Sequence, residues 1–127
     1  MRYAIMLHYP EPTPDDRDDF DETMAEGRAA FQTYARDLED AGILVSGEVW
    51  QPSSATTTLT AADGTLRVQD GPFADTHDQL GGQFVVDVPD LDAALAWAEK
   101  APSVRWGPVE VRPSSTYMES GAWVPST

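Results

Sequence analysis

GGQFVVDVPDLDAALAWAEKAP, residues 81–102, changes its hydrophobic period once, and that change decides the fold. QFVVDV (83–88) is rich in valine and carries an aromatic, as a strand does, and Pro89 closes it. Asp90 is then a good N-cap, and Leu91, Ala94, Leu95 and Ala98 recur at helical spacing up to Pro102. A strand running straight into a helix is half of a β-α-β unit. On its C-terminal side GPVEVRP (107–113) alternates cleanly and completes that unit as a last strand.

The other half lies upstream. RYAIMLHY (2–9) reads as a first strand, and Pro10, Pro12 and Pro14 mark the loop after it. From Asp15 to Ala41 the period becomes helical, with Phe20, Met24, Phe31, Tyr34, Ala35 and Leu38 forming a stripe. Thr13 before Pro14 is the start signal and Gly42 the stop. ILVSGEVW (43–50) is the second strand, ended by Gln51–Pro52. Between the halves, ATTTLT (55–60) and TLRVQD (65–70) flank Ala62–Asp63–Gly64, a strong hairpin signal.

The order strand, helix, strand, hairpin, strand, helix, strand predicts an α+β, ferredoxin-like fold. It has a mainly antiparallel sheet, two helices on one face and an inserted hairpin. Residues 1–113 form the domain and 114–127 a polar C-terminal tail. The second sheet face needs solvent or a partner. Trp50, Phe84 and Val86 imply more apolar surface than one helical layer covers, so a homodimer through the sheets is expected.

Composition narrows the function. Eight basic residues stand against 22 acidic ones, a net charge of −14, which repels phosphate backbones and anionic lipid heads. Neither nucleic acid nor membrane is an expected partner. The run Tyr3–Leu7 is too short for a signal-peptide core, so a cytoplasmic protein is expected. With no cysteine there is no disulfide framework, thiolate cage or cysteine nucleophile.

DGPFADTHDQLGG (70–82), continuing into the strand and helix above, resembles the signature of the YCII-related superfamily in its DGPF-domain branch. AGILVSGEVWQP, the ATT of the hairpin and VEVRP are similar too, so the likeness spans residues 1–113. The resemblance implies a dimeric α/β barrel of ferredoxin-like type. It also implies genomic association with extracytoplasmic-function sigma factors, and hence a stress regulon. Some relatives carry a His–Asp pair proposed as catalytic, with the histidine in the first helix, and one is a dehydrochlorinase. Here the segment from Asp15 to Ala41 has no histidine, so that pair does not carry over. At His77 the branch usually has lysine.

Several residues are candidates for chemistry. Asp70 and His77 are the expected acid/base pair of an enzymatic reading, of lyase or hydrolase type, with Glu48 or His8 assisting. His8, Phe73, Asp75 and Glu110 are the expected lining of a ligand pocket. Structural readings stand beside these. Asp-Gly-Pro makes a turn, Phe73 plugs the core, and Gly81–Gly82 marks a bulge or a close backbone approach. Glu48 or Glu110 pairs with Arg112 across the sheet. A lone imidazole among Asp75 and Asp78 falls short of a zinc ligand set, so neither metal nor cofactor is expected. The leading expectation is a small-molecule-binding or accessory protein. A docking module using Asp15, Asp16, Asp18 and Asp19 on a basic partner is the third alternative.

Overall fold

The computed structural model describes residues 1–13 and 20–127. The predicted helix start and the four aspartates of the docking reading lie outside the described residues. Four strands make the main sheet: β1 (Arg2–Tyr9), β2 (Leu44–Val49), β5 (Gln79–Asp87) and β6 (Val109–Pro113). Their order is β2-β5-β1-β6, and every neighbouring pair is antiparallel. Helices α1 (Phe20–Asp40) and α2 (Leu91–Ala98) complete the two β-α-β halves. The expected ferredoxin-like α+β architecture is what the chain adopts. Between the halves, β3 (Thr57–Ala62) and β4 (Thr65–Asp70) form the inserted hairpin on an Asp63–Gly64 turn. Both turn residues have positive φ, as a turn matching strand twist requires.

The sheet alternates as strand geometry demands. Tyr3, Ile5 and Leu7 of β1, with Phe84 and Val86 of β5, are buried against Phe31, Tyr34 and Leu38 of α1 and Ala94 and Ala98 of α2. Gly42 closes α1 in a Schellman motif: its N–H donates to the Glu39 carbonyl, and that of Ile43 to the Leu38 carbonyl. Asp90 caps α2, accepting from the Ala93 N–H at 2.9 Å. On α2 the small residues Ala94 and Ala98 face the sheet and let the helix sit close, whereas Leu91 and Leu95 point outward. The expected stripe is therefore half right.

Three other expectations need correction. Phe84 and Val86 lie under the helices, so they add nothing to the open face. That face instead carries two cross-strand rows, Arg112–Ala4–Val85–Ser46 and Glu110–Met6–Gln83–Glu48. Phe73 is no core plug. It is 83% exposed, because Gly71 at φ +99° turns the chain out of the hairpin before Pro72. Finally, β5 begins four residues earlier than its valines suggest and runs through Gly81–Gly82. The register shift between Leu7 and His8 leaves Gly81 as the extra residue of a bulge. A side chain on Gly82 would meet the Glu48 carbonyl at 2.7 Å, and one on Gly81 would enter the Tyr9 ring.

The tail is ordered as a second hairpin, β7 (Thr116–Glu119) and β8 (Ala122–Pro125), turning at Ser120–Gly121. It is pinned to the start of β1. The Arg2 guanidinium lies 3.5 Å from the centre of the Tyr117 ring, and the Arg2 N–H donates to Ser126 Oγ. No helix among the described residues is long and apolar enough to cross a membrane.

Candidate functional site

The end of β1, the start of β5 and the loop before β5 enclose a cleft of about 530 Å³. His8, Thr76, His77, Asp78, Gln79 and Leu80 line it. The chain's two histidines thus meet in one concavity, although they are far apart in sequence. Antiparallel pairing explains the first, since the β1 register sets His8 opposite Leu80 beyond the Gly81 bulge. Side-chain bonds to the backbone fix the loop bearing the second. Gln79 Nε2 donates to the carbonyls of Ala74 and Thr76, and Thr76 Oγ1 donates to the Asp78 carbonyl.

His8 has a second neighbour. Its Nε2 lies 2.6 Å from Glu110 Oε1, with the His8 side chain 22% exposed and that of Glu110 63% exposed. The approach has ion-pair distance without the alignment of a hydrogen bond, so this buried nitrogen has no hydrogen-bonding partner. Histidine exchanges its proton near neutral pH, and a carboxylate beside it can orient the ring. The imidazole therefore takes the place that the expected Glu110–Arg112 pairing left to arginine. Next to it, burial raises the pKa of the Tyr9 hydroxyl and the Glu11 carboxylate raises it further, keeping that group a neutral donor.

A second, smaller groove of about 270 Å³ lies between α1 and the edge strand β2, walled by Arg28, Phe31, Gln32, Glu48, Val49 and Phe84. Its floor depends on Gly47, where a Cβ would stand 2.5 Å from the Phe84 ring. Glu48 accepts a bond from Trp50 Nε1 at 3.0 Å, and strands β2 and β6 at opposite sheet edges keep it from Arg112.

The residues singled out in the sequence thus divide. His8 and His77 line the cleft and Glu110 touches His8, while Glu48 borders the other groove. Asp70 ends β4 opposite Thr57 and lines neither concavity; Asp75 is exposed in the loop beside the cleft. The Gly71 N–H donates to the Thr56 carbonyl and Thr58 Oγ1 to the Gly71 carbonyl, so Asp-Gly closes the hairpin base. Thr76 and Gln79 were missed as lining. Only their position beside His77 could have flagged them. No cluster of three or more metal-ligating side chains occurs among the described residues.

A protein of Rhizobium meliloti (strain 1021), named only as uncharacterized, is 33% identical over 121 residues, covering 92% of this chain and 94% of that relative. The YCII-related domain matches residues 1–116, from β1 into the first strand of the C-terminal hairpin. With a match of that extent on the fold just described, the chain belongs to the YCII-related family.

Proposed function

We propose that this YCII-related protein binds a small polar molecule in the His8–His77 cleft and works as a homodimer joined through the open sheet face. The convergence of both histidines on one cleft, with a Glu110 carboxylate oxygen 2.6 Å from His8 Nε2, carries the first part. A concavity with a few convergent polar side chains is the usual form of a small-molecule site, and the imidazoles with Thr76 and Gln79 offer groups to a ligand hydroxyl, carbonyl or carboxylate. The second part rests on family membership and on the Ala4–Met6–Val85 strip of the face that the helices leave uncovered. Ligand sensing would suit an accessory role in a sigma-factor-linked regulon.

A thermal-shift screen of metabolites tests the binding, because ligands raise apparent stability by mass action. Hits should bind at least tenfold more weakly to His8→Ala and His77→Ala, and unchanged to Arg28→Ala in the other groove. Hits indifferent to both histidines and lost in Arg28→Ala would refute the cleft. The His8–Glu110 contact favours a second reading, acid/base catalysis on the bound molecule. In that case Glu110→Gln keeps ligand affinity and abolishes turnover; equal turnover by both proteins would dismiss it.

A further inference from the structure

The β3–β4 hairpin stands away from the body of the protein. Thr58 is its one residue that is not exposed, and neither strand packs extensively on any other element among the described residues. Yet its two faces differ. Thr58, Thr60, Ala62, Thr65, Arg67 and Gln69 share one side by register. On the other, Leu59 is paired with Val68 and Ala61 with Leu66, with Thr57 and Asp70 paired at its base. Leu59, Leu66 and Val68 are 61%, 68% and 71% exposed, and Phe73 follows directly at 83%. A two-stranded ribbon is marginal in water unless a hydrophobic face is covered. Above its base the large apolar side chains all fall on this one face, the mark of a face shaped to be buried.

We infer that the hairpin is a dimerisation arm, whose apolar face, with Phe73, packs against the same face of a second copy across a two-fold axis. Two observations select that occupant. Each copy carries −14, so copies approach most readily where charge is sparse, and on this face the Leu59–Val68 and Ala61–Leu66 pairs carry none, its one charge being Asp70 at the hairpin base. A two-fold axis also sets a patch against itself, which suits an apolar surface and would oppose like charges on a charged one. The area agrees. The four large side chains expose on the order of 500 Å², like the largest patch on a monomer. A stable interface needs roughly 800 Å² per partner, so the open sheet face supplies the remainder. The arm continues through Gly71 into the loop whose Ala74, Thr76, His77 and Asp78 wall the cleft, so docking it also fixes one side of the binding site.

This arm rests on the homodimer proposed above, and one sedimentation-velocity series separates the two. The full chain should sediment as a dimer at micromolar concentration. Leu66→Glu and Val68→Glu should each raise the dimer Kd at least tenfold. Thr60→Glu and Gln69→Glu, with the same charge change on the opposite face, should leave it within twofold. A monomeric wild-type protein overturns both the dimer and the arm. A dimer equally tolerant of all four changes overturns the arm alone. Should a variant misfold, hydrogen exchange on the wild type decides: arm amides must gain protection as protein concentration rises, and unprotected arm amides in a concentrated sample overturn the proposal.

Discussion

At the scale of single residues, Tyr34 shows how one side chain serves both packing and polarity. Its ring meets Phe84 edge-on at 5.2 Å, and its hydroxyl donates to the Trp97 carbonyl at 2.8 Å, tying α1 to α2 beneath the sheet. Burial pushes the pKa of this hydroxyl well above the ordinary 10.0. In the unfolded chain the hydroxyl ionises near pH 10, while in the fold it stays protonated. Its contribution is therefore complete below pH 10 and is lost as pH climbs from there toward the folded-state value. Tyr34→Phe should cost about 1 kcal/mol at pH 8, because the Trp97 carbonyl keeps the Lys100 N–H as a partner. That deficit should shrink as pH passes 10. Urea melts of both proteins from pH 8 to 11.5 check this, and parallel curves over the range would refute it.

At the scale of elements, the caps and turns were the legible part. The place of Asp90 before Leu91 predicts an N-cap, and its carboxylate does accept the Ala93 N–H. Asp90→Ala should thus lower stability by about 1 kcal/mol, and Asp90→Asn should recover most of it. Thermal melts settle the point: two variants equally destabilised would mean that charge, and not the cap bond, matters. The Asp63–Gly64 hairpin and the Gly42 stop were legible for the same reason, since both depend on local backbone preferences. Contacts set by tertiary packing were not legible. Periodicity gave Leu91 and Leu95 the buried face of α2, but the helix is short and sits close on alanines. Phe73 looked like a core residue by type, yet the positive φ of Gly71 decides where it goes. The cleft shows both sides of this. His8 and His77 were visible as candidates, whereas their meeting depends on a bulge at Gly81 whose register no single strand reveals. Asp70 was prominent because of its motif, and its motif serves the hairpin base.

At the scale of the whole molecule, charge is the dominant quantity. A net −14 on 127 residues makes the compact state self-repelling, because folding brings carboxylates closer than they stand in the expanded chain. The compensation within the described residues is thin. The pair of full charges in contact there is Met1 with Asp87 at 3.0 Å, with the His8 imidazole beside Glu110, so most carboxylates have no counter-charge in contact. Such repulsion acts over distances that salt shortens: the screening length falls from about 30 Å at 0.01 M to about 3 Å at 1 M. Stability should therefore rise with sodium chloride, by roughly 5 °C in Tm between 0.01 and 1 M if screening recovers 1 kcal/mol or so. Most of the gain should come below 0.2 M, where screening length changes fastest; a purely hydrophobic salting-out effect would instead grow steadily at high concentration. The same screening should tighten the dimer, because two copies repel at low salt, and the arm's apolar contact loses nothing to screening. Melting curves and sedimentation across one salt series test both effects together. A Tm that stays flat below 0.2 M would show that self-repulsion does not govern this fold.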